Sequence, residues 1–178
     1  MKHLNLFIEL TRLNKPIGYM LLFWPCFWGL TLSYDFNNEI YTYIKYSFLF
    51  LLGSILMRSA GCIVNDIIDE KFDKKVERTK NRPIASGKIS KSLALFYTSI
   101  LCFIAFLILI NFNFLTIVLG MSSMILAFSY PFMKRITYWP QLFLGLTFNW
   151  GIVMAGAALT NDISNEILLL YLMAIFWT

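Results

Sequence analysis

Asn65, Asp66, Asp69 and Asp73 fall close together in the stretch RSAGCIVNDIIDEKFDKKVERTKNRPIASG, which runs from Arg58 to Gly87. With residues 62–73 in an α-helix, Asn65, Asp69 and Asp73 recur every four residues. Each step of four drifts by only about 40°. The three therefore stack along one face, with Asp66 beside them, and Arg58 lies on the same side two turns deeper. Three carboxylates and an amide on one face repel one another unless a cation sits among them. Oxygen ligands of this kind suit Mg²⁺, which commonly uses one or two carboxylates, several waters and substrate phosphates. The bases that follow, Arg78, Lys80, Arg82 and Lys88, are of the kind that grips phosphate oxygens. Acids for a metal, then bases for phosphate, point to a Mg²⁺-diphosphate site. The competing reading is a solvated charged loop; the four-residue period and the abrupt start inside an apolar run argue against it.

The rest of the chain must place that stretch at a membrane surface. The sequence is 58% hydrophobic and 14% charged, with a mean hydropathy of +0.66, where soluble domains carry about 25% charge. The polar stretch holds five of the ten acids and seven of the fifteen bases. A net charge of +5 could suggest a nucleic-acid partner. The distribution of the bases excludes that reading, because they concentrate between apolar runs. Cys26, Cys62 and Cys102 all fall in apolar runs without metal-type spacing, and read as buried thiols.

The apolar runs predict an all-α, multi-span transmembrane helical bundle forming a single domain over 1–178. Residues 1–16 form a charged lead with an interfacial helix carrying Leu6, Leu10 and Leu13 on one side. Five full spans follow, at 17–33, 44–64, 93–110, 114–130 and 142–159, and 167–178 begins a sixth that is too short to cross. The first contains Trp24, Phe27 and Trp28 and no small-residue cleavage site, so it reads as a retained helix. Pro25 is expected to kink it. Residues 131–140 read as a loop carrying Lys134 and Arg135. The N-terminal lead, the 66–91 loop and the 131–140 loop are basic, whereas 35–43, 111–113 and 161–166 hold no Lys or Arg. The positive-inside rule puts the basic set in the cytoplasm, so the two loops that could hold diphosphate share one face.

The stretch around Asn65 also resembles the first aspartate-rich motif of the UbiA superfamily of membrane prenyltransferases, an NDxxDxxxD helix end followed by RTxxRPxxxG. Asn65, Asp66, Asp69, Asp73, Arg78, Thr79, Arg82, Pro83 and Gly87 all match it. The opening RLNKPIGYMLLFWPCFWGL and the YPFMKR segment resemble the 4-hydroxybenzoate polyprenyltransferase branch, and the resemblance covers essentially the whole chain.

That resemblance implies transfer of a polyprenyl group from an allylic polyprenyl diphosphate to the ring of 4-hydroxybenzoate, in ubiquinone biosynthesis, with Mg²⁺ as cofactor. It makes Asn65 and Asp69 the most direct Mg²⁺-diphosphate contacts, with Asp66 and Asp73 in or beside the metal site. Arg78 and Arg82 bind phosphate or anchor the loop by charge. Tyr130, Lys134 and Arg135 form a second clamp on diphosphate, or the two bases are plain topology charges. Arg58 either pairs with Asp66 or Asp69, or holds the carboxylate of the aromatic acid. Trp139, Phe148 and Trp150 are candidates for cation–π stabilisation of the allylic cation. The implied setting is the bilayer of a bacterial inner membrane, with the N-terminus and site loops cytoplasmic; the mitochondrial inner membrane is the alternative. Other acceptors, such as haem, homogentisate or a chlorophyll precursor, remain open. A transporter reading has no repeat or broken-helix pair behind it. The superfamily is expected to have nine membrane helices and a second aspartate-rich motif after the sixth, and this sequence holds no such motif. It reads as the N-terminal two-thirds of such an enzyme, inactive alone or completed by a second chain carrying the missing helices.

Overall fold

A computed structural model describes residues 2–37 and 39–178, with the side chains of all of these except Lys2, Lys134 and Arg135. The described residues form seven α-helices: α1 (Lys2–Thr11), α2 (Pro16–Ser33), α3 (Ile40–Asp73), α4 (Lys91–Leu109), α5 (Phe114–Ile136), α6 (Pro140–Thr160) and α7 (Asn165–Trp177). Four of them, α3, α4, α5 over Phe114–Met133 and α6, are long and apolar enough to cross a membrane. The protein is therefore an all-helical, integral membrane bundle. The expected first span is present as α2, an 18-residue helix that is not among those four. The helix runs on through Pro25.

Two boundaries differ from expectation. α3 is one unbroken helix of 34 residues. At 1.5 Å per residue it is about 51 Å long, against about 30 Å of hydrocarbon. About a dozen residues, on the order of the 66–73 segment and its flanks, must project beyond the apolar layer. α5 also continues through Pro131 to Ile136, so Lys134 and Arg135 lie on a helical last turn and not in a loop. A proline removes one backbone donor, but near a helix end that loss falls where the ladder is already thinning.

Small residues bring α2 and α6 together. Gly151, Ala155, Gly156, Ala157 and Ala158 are buried on α6. A Cβ at Gly29 would overlap the Ile152 carbonyl, and one at Gly151 would overlap Cys26 Sγ. Close backbone approach of this kind is how helices associate where the surrounding lipid is as apolar as the side chains. Asn149, also buried on α6, donates to the carbonyls of Gly145 and Ala174 and to Thr178 Oγ1, tying α7 in place.

The site end is held by a separate apolar cluster of Leu10, Ala60, Ile63, Ile84, Ile89, Ala94 and Leu101. It joins α1, α3, α4 and the segment between α3 and α4. The amphipathic lead thus packs its Leu10 side into protein, with Leu6 and Phe7 against the same cluster. α1 stops because Arg12 turns left-handed, at φ 56°. A turn closed by Lys15 N on Arg12 O follows, and Pro16 opens α2 at a position where its missing N–H costs nothing.

Candidate functional site

The residues that close α3 determine how its polar end is presented. Thr79 Oγ1 donates to the Asp73 carbonyl at 3.1 Å, and Ile89 N donates to the Pro83 carbonyl at 3.1 Å. Pro83, Ile84 and Ala85 are buried. These contacts fold the segment after α3 back along the helix, and Arg82 arrives beside its acids.

The four polar residues then separate into two groups. Asp66 is only 2% exposed. Its Oδ1 accepts from Arg12 Nη2 at 2.6 Å and from Arg82 Nη1 at 3.1 Å. Arg82 Nη1 also donates to Asp73 Oδ2 at 2.8 Å. Asp66 and Asp73 therefore share two guanidinium groups. Burial of two carboxylates is tolerable here because each is paired and hydrogen-bonded. Asn65 and Asp69 form the other group, with Asn65 Nδ2 donating to Asp69 Oδ2 at 3.0 Å. Both are half-buried.

Among the described residues, no three His, Cys, Asp or Glu side chains are grouped so that they could hold a metal by themselves. Of the four residues expected at the metal, Asp66 and Asp73 pair with arginines, while Asn65 and Asp69 are joined to each other. The Asn65 and Asp69 oxygens still fit Mg²⁺ in its commoner mode, in which a carboxylate and substrate phosphates share the ion with water.

A cavity of about 1250 Å³ opens beside this end of α3. Its wall carries the cations Arg12, Lys15, Arg58, Arg78 and Arg82 against the acids Glu9 and Asp66. Arg78 is exposed, and neither it nor Arg58 forms a salt bridge to a described residue. Arg58 does not pair with Asp66 or Asp69, one of its two expected roles, because Arg12 and Arg82 occupy Asp66. Its guanidinium instead stands over the Phe148 ring at 5.8 Å, against Gly18 and close enough to Tyr130 to act on it electrostatically. Tyr130 itself is half-buried on α5. Lys134 and Arg135 share the last turns of that helix, and their side chains lie outside the described residues. Lys80 pairs with Glu77, away from the acids of the motif.

Among the described residues, Phe148 alone of the three aromatic candidates has a cation near it. Trp150 donates its indole N–H to the Leu119 carbonyl at 3.0 Å and packs on Tyr171, which is a helix-packing role. Trp139 is 73% exposed where α6 begins. Deeper in the bundle, an apolar cavity of about 160 Å³ lies among Leu22, Phe50, Met57, Phe106, Met124 and Met154.

Arg12 is the residue that sequence reasoning missed. It lies 54 positions before Asp66, and its signals were its place in a basic lead and at the head of the RLNKPIGYMLLFWPCFWGL segment.

Comparison with known proteins shows where the chain belongs. The profile of the UbiA prenyltransferase family matches residues 22–178. The chain is 46% identical over 170 residues to the 4-hydroxybenzoate octaprenyltransferase of Blochmanniella pennsylvanica, covering 96% of this chain and 57% of that protein. It is 44% identical over 173 residues to the mitochondrial 4-hydroxybenzoate polyprenyltransferase of Arabidopsis thaliana, covering 97% of this chain and 42% of that one. A solved UbiA homologue from Archaeoglobus fulgidus, bound to DMAPP and Mg²⁺, superposes with a TM-score of 0.77 at 15% identity, over 96% of this chain and 60% of that one. A digeranylgeranylglyceryl phosphate synthase superposes with a TM-score of 0.79 at 19% identity, over 98% and 59%. The chain thus spans about three fifths or less of the length of these relatives. The solved structures share its helical fold, and the profile with the two sequence relatives establishes kinship: the chain belongs to the UbiA prenyltransferase family.

Proposed function

We propose that this protein transfers a polyprenyl group from an allylic polyprenyl diphosphate to the ring of 4-hydroxybenzoate, in ubiquinone biosynthesis. The separation of the motif into two groups carries the reading. Asp66 and Asp73 are matched by Arg12 and Arg82, Asn65 and Asp69 form a second pair at the same helix end, and a cation-lined cavity opens on the Asp66 side of it; we assign the metal to the Asn65–Asp69 oxygens. The identity to 4-hydroxybenzoate prenyltransferases over nearly the whole chain supports the acceptor.

In the reaction the allylic carbon–oxygen bond breaks, and both its electrons leave with the diphosphate. The ring carbon next to the phenol hydroxyl forms the new carbon–carbon bond, and loss of the ring proton restores aromaticity. Asn65 and Asp69 would hold Mg²⁺, which would supply Lewis-acid neutralisation of charge on the leaving diphosphate. Arg78 offers a guanidinium to the same phosphate oxygens, and Tyr130, Lys134 and Arg135 supply a second clamp from α5. Arg82 reaches the diphosphate through its place in the cavity wall while holding Asp66 and Asp73. Arg58, with no carboxylate among the described residues, takes the carboxylate of the aromatic acid. The apolar cavity below Arg58 offers room to the first part of a prenyl tail. The motif loops lie on the cytoplasmic side of a bacterial inner membrane, as the alternating basic segments support.

The test is equilibrium binding of a prenyl diphosphate across a Mg²⁺ titration. Asn65→Ala and Asp69→Ala should each weaken Mg²⁺-dependent binding by about 10–100-fold. Unchanged affinity in both variants would defeat the assignment.

A further inference from the structure

We infer that Arg12 is a positioning residue for this site: it neutralises Asp66 so that Arg82 stays on Asp73 and the Asn65–Asp69 face alone meets the metal-diphosphate. The inference rests on the prenyl-transfer reading. Two arginines converge on a single oxygen of Asp66, Arg12 at 2.6 Å and Arg82 at 3.1 Å. Arg12 makes the shorter contact, and Arg82 divides its Nη1 between Asp66 and Asp73. Asp66 is nearly closed to solvent, so its charge must be answered by protein. Without Arg12, Asp66 has only Arg82. That guanidinium is then drawn off Asp73, whose carboxylate stands uncompensated one helical turn from Asp69. Anionic diphosphate is repelled, and the segment that carries Arg78 loses its anchor on α3.

The local structure is built to deliver Arg12. Leu10 is fully buried, and Thr11 is buried with its hydroxyl on the Phe7 carbonyl at 2.7 Å. These fix the end of α1 against α3. The left-handed φ of 56° at Arg12 then ends the helix and turns the chain over the cavity, with Lys15 N on Arg12 O at 2.9 Å. A non-glycine residue in that conformation is uncommon and costs on the order of 1 kcal/mol. The ion pair to Asp66 and the packing of Leu10 hold it there.

The experiment is a double-variant cycle on the purified protein in lipid nanodiscs, read by geranyl diphosphate binding across a Mg²⁺ titration and by thermal unfolding. Arg12→Ala is expected to weaken Mg²⁺-dependent binding by about 10–100-fold, the worth of one charge-assisted hydrogen bond. Arg12→Lys should restore part of it. Adding Asp66→Asn to Arg12→Ala should restore most of it, because the charge that needed answering has gone. Arg12→Ala within threefold of wild type overturns the assignment. So does a double variant as weak as Arg12→Ala, since Asp66 would then act on the ligand directly or Arg12 would merely stabilise the fold. If wild type itself shows no Mg²⁺-dependent affinity, the prenyl-transfer reading is what fails, while the unfolding cycle still reports the Arg12–Asp66 coupling.

Discussion

Replacing Arg82 by Gln tests whether the segment after α3 is held by charge. Arg82 Nη1 donates to Asp66 Oδ1 at 3.1 Å and to Asp73 Oδ2 at 2.8 Å. Hydrogen bonds to charged groups contribute about 1.5–3 kcal/mol each, so two sum to roughly 3–6 kcal/mol. The arginine side chain is 29% exposed, and water replaces part of what is lost. Asp66 also keeps Arg12. Asp73 fares worse: Arg82 is its one salt-bridge partner among the described residues, and its side chain is 11% exposed. A net loss of about 3 kcal/mol follows. That is a large part of a typical 5–15 kcal/mol stability, and about 100-fold in the local opening constant. The assay is protease cleavage after Lys80 in native lipid, with denaturant unfolding in parallel. Arg78→Gln is the matched control. It lies on the same segment but makes no salt bridge to a described residue, so it should change stability by less than about 0.5 kcal/mol. Equal stability of the two variants would refute the ion-pair account of how this segment is held.

Two further outcomes follow from the same geometry. With the natural cysteines replaced, a cysteine at Lys75 should react with an impermeant reagent only from the cytoplasmic side, and one at Asn111 only from the other; labelling of Lys75→Cys from outside would reverse the proposed orientation. Arg58→Met should weaken binding of 4-hydroxybenzoate by about 10–100-fold, the worth of one charge-assisted hydrogen bond, with prenyl diphosphate affinity held within about threefold; an equal loss for both ligands, measured by calorimetry, would take Arg58 away from the acceptor.

Much of the fold was legible because membrane helices declare themselves locally. Lipid cannot satisfy backbone polar groups, so each span must be a continuous apolar helix whose length the sequence displays. The runs beginning near Leu93, Phe114 and Leu142 emerged as α4, α5 and α6 within a few residues. The ends were less legible. Pro131 suggested a stop, yet α5 continues five residues beyond it. The propensity of one residue yields there to the packing of a whole helix end.

The candidate site divides in the same way. The sequence by itself determined that Asn65, Asp69 and Asp73 share a face, because a helix converts four-residue spacing into stacking. It also determined that bases follow these acids at the end of an apolar span. Only the tertiary structure decided which acids the arginines answer. Asp66 is sequestered by Arg12, from the turn that ends α1 54 residues away, and by Arg82, from a segment folded back by buried Pro83 and Ile84. The same packing left Arg58 on Phe148 without a carboxylate. Periodicity reports only what neighbours along one helix do. Which charge answers which carboxylate depends on helices brought together by apolar burial, and no spacing within the motif records that.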